Sequence, residues 1–301
     1  MTGDGRHLHW GAEALWEQLA ALLPGISVEV VARVESTNTR LIERARQLSG
    51  QHDAPISRPG QLDALPATGS RAPFGRRAAD TQPCLMVAEH QTRGRGRMGR
   101  DWQAAAGVSL TFSLSLPYAP QDWSGLSLAV GVALADALDA ADPPRIVLKW
   151  PNDLWLQDGP GRGRKLGGVL IETVAIGERR MCVVGVGLNV QPQPAAAQQE
   201  MASGFACLAE LDPAADAPRA LAAVAAPLVQ ALQRFEREGF APFAAAYARR
   251  DLLRGQRVTT NAADAPDGVA EGVDERGALR VRRGDVVAAV VSGEVSVRLA
   301  Q

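Results

Sequence analysis

The chain has 301 residues, 46% of them hydrophobic and 22% charged, with a formal net charge of −1 at pH 7. That length can bury one sizeable core and a small appended unit, and the near-neutral balance gives no support to broad nucleic-acid or membrane affinity. No apolar run is long enough to span a bilayer, and the polar segment Met1 to Trp10 lacks a secretory-signal core, so the expected location is cytoplasmic.

Along the chain, residues Ala12 to Leu23 read as an amphipathic helix and Ser27 to Val34 as a strand. Ser36, Thr37 and Asn38 are all good helix-capping types, and Leu41, Ala45 and Leu48 repeat on one face of the segment they open. Residues 50–83 turn to Pro, Gly, Ala, Ser and Arg without periodicity, the pattern of a long flexible insertion. Order is expected to resume in a strand over Cys84 to Glu89. The next strand, Gly107 to Leu116, alternates Val108, Leu110, Phe112, Leu114 and Leu116 with small polar residues. Leu126 to Leu138 reads as a helix. Strands over Arg145 to Trp150, Asp153 to Gln157, Lys165 to Val174 and Arg180 to Val190, joined by turns at Asp158 to Arg164 and Gly177-Glu178, make an antiparallel meander. Alanine-rich helices fill Pro218 to Arg249. After Arg254 come five short strands, Gln256 to Thr260, Gly268 to Val273, Ala278 to Arg282, Val286 to Val291 and Glu294 to Leu299, which fit a compact barrel or a sheet extension.

Between the strand ending at Glu89 and the strand starting at Gly107 lies the most informative stretch, Gly94-Arg95-Gly96-Arg97-Met98-Gly99-Arg100, followed by Asp101-Trp102. Glycines let backbone approach a ligand closely, and guanidinium groups hold phosphate or carboxylate with paired, charge-assisted hydrogen bonds, so this loop is suited to close over an anion. Gly94, Gly96 and Gly99 also match G-x-G-x-x-G, but a dinucleotide-binding loop opens a helix, whereas strand periodicity follows here and two arginines crowd the glycines. There is no Walker A sequence. Cys84, Cys182 and Cys207 lack metal-ligand spacing and read as buried thiols, and the four histidines form no zinc motif.

Four further segments accompany the loop and Gln91-Thr92: Ser36-Thr37-Asn38, Lys149-Trp150-Pro151-Asn152-Asp153, Lys165-Leu166-Gly167-Gly168-Val169-Leu170, and Gly185-Val186-Gly187-Leu188-Asn189-Val190. In this order and spacing they resemble a biotin protein ligase, from about Ser36 to Asn189, and the C-terminal β unit looks like that family's barrel. The resemblance implies an α+β fold: a mixed, largely antiparallel sheet with helices, of the class II synthetase-like biotin/lipoate ligase type, over residues 1–252, and a small SH3-like barrel over 253–301. It implies ATP and biotin as substrates with Mg²⁺, an adenylated biotin intermediate, and transfer to a lysine of a biotin carboxyl carrier protein, whether the acetyl-CoA carboxylase subunit or that of another biotin-dependent carboxylase.

By the same resemblance, Lys165, Arg97 and Arg95 carry catalysis. Ser36, Thr37, Gln91, Gly94, Arg95, Gly96, Arg97, Gly167 and Gly168 form the biotin site; Arg97, Arg100, Trp102, Lys149, Asn152, Lys165 and Asn189 hold ATP or the adenylate; Asp153 is the carboxylate for Mg²⁺. Structural readings stand beside these: Ser36 or Thr37 as a helix cap, Trp102 as core packing, Asn152 as a turn cap, Lys165 as a solvated strand-end lysine. The segment before Ser36 shows one helix and a strand where bifunctional members carry a helix-turn-helix, so the resemblance is to the monofunctional type, with no DNA partner expected, and Met98 stands where many relatives have arginine. The alternatives are a lipoate or octanoate ligase, a biotin-adenylate-responsive regulator, which the missing helix-turn-helix disfavours, and a single-strand nucleic-acid grip, which would need more aromatics than Trp102. A homodimer formed through an exposed sheet edge is left open.

Overall fold

The computed structural model describes residues 8–49, 81–193, 203–291 and 297–299. In chain order the elements are α1 (Ala12–Ala20), β1 (Ser27–Val34), α2 (Thr37–Ser49), β2 (Cys84–Gln91), the two-residue strands β3 (Gly94–Arg95) and β4 (Asp101–Trp102), β5 (Ser109–Pro117), α3 (Leu126–Leu138), β6 (Ile146–Lys149), β7 (Asp153–Gly159), β8 (Arg162–Ile176), β9 (Arg179–Asn189), α4 (Ala217–Glu238), α5 (Ala244–Arg250), and β10 (Arg257–Thr260), β11 (Asp267–Val273), β12 (Leu279–Arg283), β13 (Val286–Val290) and β14 (Val297–Leu299). The insertion expected at 50–83 falls almost wholly outside the described residues, as do residues 294–296 of the last expected strand and the side chain of Leu48.

A seven-stranded sheet runs in the order β1-β2-β5-β9-β8-β7-β6. Only β1 and β2 are parallel; β5 and the meander β6 to β9 are antiparallel, as the closely spaced strand pattern requires. Period-two alternation decides which side chains meet which layer. Along β2, Leu85 and Val87 enter the main core with Leu110, Phe112, Leu114 and helix α3, while Cys84 and Met86 turn to the other face and pack under Leu41, Ile42 and Ala45 of α2. Helices α1, α3 and α4 cover the first face. All three cysteines are buried and free, as their apolar surroundings suggested. Helix α1 stops at Ala20, earlier than its apolar pattern, because the chain turns ahead of Pro24.

The C-terminal strands form a separate five-stranded antiparallel sheet, β13-β12-β11-β10-β14. It is stitched to the larger sheet. Trp150 Nε1 donates to the carbonyl of Gly277 at 3.1 Å, Arg276 pairs with Asp122 at 2.8 Å, and a Cβ on Gly277 would come within 2.7 Å of Gly125 Cα, so glycine there permits the close approach. No helix among the described residues is long and apolar enough to cross a membrane.

Candidate active site

The N-terminus of α2, the end of β2, the β3–β4 loop, the β6–β7 turn and the middles of β8 and β9 surround one cleft of about 160 Å³, open to solvent. The arginine loop leads into strands instead of a helix, as its downstream periodicity demanded. Gly94 pairs with Trp102 and Arg95 with Asp101, and a Cβ on Gly94 would lie 2.4 Å from the Trp102 carbonyl, so the ribbon closes only around glycine. Met98, at the loop tip, is 52% exposed with φ 57°.

On the opposite wall a bulge re-aims a lysine. Asp153 pairs with Gly168 and Leu154 with Gly167, yet Trp155 pairs with Lys165, so β8 carries one extra residue at Leu166. In an unbroken strand Lys165 and Gly168 would face opposite sides; the bulge brings them to one side. Lys165 Nζ reaches Asp153 Oδ1 at 2.8 Å and lies 3.7 Å from where a Gly168 Cβ would stand. Glycine at 168 thus leaves room for the ion pair. Pro151 ends β6, and the turn projects Asn152, whose amide donates to the Val169 carbonyl at 2.8 Å and whose Oδ1 accepts from Arg97 at 3.2 Å. Burial pushes the Arg97 guanidinium downward from its ordinary pKa, with Asp153 opposing the shift. Lys149 is likewise pushed down, first by burial, with Asp153 opposing. Its ammonium donates to the Val297 carbonyl at 2.7 Å and lies 5.3 Å from the Trp155 ring centre, so the C-terminal unit reaches into the cleft wall.

At the far end, Ser36 caps α2 by accepting from Thr39 N at 3.4 Å. Thr37 donates to Gln91 Oε1 from both its backbone nitrogen (2.8 Å) and its hydroxyl (3.1 Å). These buried donors and acceptors can hold a small polar ring in an otherwise apolar slot with Phe112 and Val186. Arg95 also borders the cleft, but its Nη2 donates to both oxygens of Glu172 at 2.7 Å.

Ser36, Thr37, Gln91, Arg95, Gly96, Arg97, Arg100, Trp102, Lys149, Asn152, Asp153, Lys165 and Gly168 all border this one cleft. Three expected site residues do not. Gly94 serves the ribbon; Gly167 serves strand packing, since a Cβ there would lie 2.5 Å from the Gly187 carbonyl; and Asn189 is 1% exposed, its amide donating to the carbonyls of Lys165 (3.3 Å) and Ala206 (3.0 Å). Asn189 therefore fixes the backbone that carries Lys165, while its buried Oδ1 makes no hydrogen bond. The Trp102 ring rests on Gly187, where a Cβ would come within 2.5 Å of it. Sequence reasoning missed Glu172, Ser113 and Val297. Ser113 carried a signal, as one of the small polar residues alternating along β5. The cleft's carboxylates are Asp101 and Asp153, and no group of three or more His, Cys, Asp or Glu side chains that could hold a metal occurs among the described residues. With Oδ1 given to Lys165, Asp153 fits an Mg²⁺ that arrives on substrate phosphates and takes one protein carboxylate.

Residues 76–189 match the Biotin/lipoate A/B protein ligase family and residues 255–298 the Biotin protein ligase C terminal domain. The chain is 35% identical over 252 residues to a biotin--[acetyl-CoA-carboxylase] ligase of Mycobacterium tuberculosis, covering 78% of this chain and 88% of that one. It is 29% identical over 289 residues to the bifunctional ligase/repressor BirA of Escherichia coli, covering 95% of this chain and 78% of that one. A biotin protein ligase from Aquifex aeolicus, solved in complex with biotin and ATP, shares the fold with a TM-score of 0.67 at 24% identity, over 91% of this chain and 99% of that one. The chain belongs to the biotin protein ligase family.

Proposed function

We propose that this chain activates biotin as biotinyl-5′-AMP, releasing pyrophosphate, and transfers the biotinyl group to a lysine of a biotin carboxyl carrier protein. One observation carries the reading: a buried Thr37–Gln91 polar pair at one end of the cleft and the cations Arg97, Lys149 and Lys165 at the other. That spacing suits a small acid whose polar ring is held at one end and whose carboxylate meets a polyphosphate at the other.

The chemistry brings two anions together. A biotin carboxylate oxygen attacks the α-phosphorus, forming a carbon–oxygen–phosphorus anhydride as the bond to pyrophosphate breaks. Arg97 and Lys165 offset the charge at that point, Lys165 by leaving Asp153 for the acyl and phosphate oxygens, and preorganised cations in a partly dry cleft are worth more than in water. Arg100 and Lys149, which border the same cleft, face the remaining phosphates. Bound at Asp153 and the phosphates, Mg²⁺ would supply further charge neutralisation. The loop excludes water from the anhydride until a neutral carrier amine attacks the acyl carbon, forming the amide and expelling AMP. The test is the intact mass of a biotin carboxyl carrier domain incubated with this protein, ATP and Mg²⁺, with biotin and lipoate offered in parallel. An ATP-dependent gain from biotin alone is expected. No gain from biotin, or an equal gain from lipoate, would overturn the reading.

A further inference from the structure

Two residues with no role in the chemistry above meet at the edge of the cleft, Asn38 lining it and Glu172 standing behind. Asn38 is 4% exposed, and its amide donates to the Leu170 carbonyl at 3.2 Å and to Glu172 Oε2 at 2.9 Å. Its Oδ1 lies 2.6 Å from the hydroxyl of Ser113, which is also 2.6 Å from Thr37 Oγ1. Glu172 in turn receives Arg95 Nη2 on both oxygens. A chain of polar atoms within hydrogen-bond distance therefore runs from the polar pair Thr37–Gln91 through Ser113, Asn38 and Glu172 to Arg95, the one Ser113 proton serving either Thr37 Oγ1 or Asn38 Oδ1 at a time. The backbone makes room for it: a Cβ on Gly185 would stand 2.2 Å from Asn38 Oδ1, so a larger residue there would expel the asparagine.

Geometry sets the direction of the effect. Arg95 borders the cleft and Glu172 does not, so the carboxylate holds one guanidinium nitrogen of a cleft-lining arginine from behind. A long side chain on a glycine-rich loop loses rotamer and backbone freedom when a ligand orders it, and an anchor already in place removes part of that cost. We propose that Glu172, oriented by Asn38, is a positioning residue that presets Arg95 and its loop for the carboxylate end of the substrate. The proposal rests on the biotin-activating reading given above.

The test uses the full chain. Glu172→Gln keeps an acceptor for Asn38 but removes the charge that holds Arg95. Its KM for biotin in ATP–pyrophosphate exchange should rise about five- to tenfold, a figure held down because Arg95 is 44% exposed, with kcat within about twofold. In an Arg95→Gln background the same change should add nothing. Backbone amides of residues 94–100 should exchange faster with deuterium in ligand-free Glu172→Gln protein than in wild type, a readout that needs no activity. An unaltered KM with unaltered exchange, or losses that add in full on Arg95→Gln, would overturn the positioning role. A loss of kcat at constant KM would show Glu172 to be merely structural. Wild-type protein that makes no biotinyl adenylate would instead sink the functional reading, leaving the exchange comparison to decide the anchor.

Discussion

Replacing Gly187 by alanine tests how closely the arginine loop must seat. An ideal Cβ at this position lies 2.5, 2.7 and 2.8 Å from Cε2, Cζ2 and Nε1 of Trp102. Carbon atoms pack comfortably at about 3.5 Å, so something must retreat by about 1 Å. The strand is pinned on both sides, because Gly187 pairs with Thr111 on β5 and with Gly168 on β8. Trp102 sits instead on a two-residue ribbon that can undock. The displacement therefore falls on the loop. Overpacking of this size costs about 1–3 kcal/mol, and if it is charged against the closed loop, kcat/KM for adenylate formation falls about 5- to 150-fold. Thermal stability should change little, since undocking the ribbon relieves the clash without opening the core. ATP–pyrophosphate exchange with titrated biotin measures the loss. The alanine should matter far less once Trp102→Ala has removed the ring it collides with. An activity within twofold of wild type, or an equal loss with and without the tryptophan, would refute the argument.

Two further predictions follow from the charged groups. Lys165→Ala should cut adenylate formation by orders of magnitude while the fold persists, because the lysine contributes to no core and leaves behind only a partly exposed Asp153; near-normal pyrophosphate release would remove it from the chemistry. Asp251, where α5 leads into the C-terminal unit, has its carboxyl pushed up to about 6 from an ordinary 3.8 by burial, and its Oδ2 makes no hydrogen bond. The folded chain thus holds that proton more tightly than the unfolded chain, and this contribution, full below about pH 4, is lost as pH rises through 6. Asp251→Asn should accordingly stabilise the protein at pH 8 by on the order of 1–3 kcal/mol and leave it nearly unchanged at pH 4. Melting temperatures across that range decide it, and equal shifts at both ends would count against the titration.

Strand and helix periods determined the layers. The alternation along Leu110, Phe112 and Leu114, the capping residues at Ser36 to Asn38 and the turn residues of the meander act over a few neighbours, so they were legible in the chain itself and the corresponding elements formed. Residue chemistry at the motifs likewise pointed to an anion site, and most of those side chains border one cleft. Other features depended on partners far apart in sequence. No local rule says that a bulge at Leu166 turns Lys165 toward Asp153, since the extra residue exists only against the register of β7. Nor does one say that Asn189 spends its amide on the backbone beneath Lys165, or that Val297 reaches Lys149 across 148 residues. Glu172 carried no signal within its own strand; its hold on Arg95 spans 77 positions and arises because the ribbon folds back over the sheet. Local propensity sets which way a side chain leaves its own element, whereas the atom it meets is set by register and packing, and for this protein that second decision assembles the site.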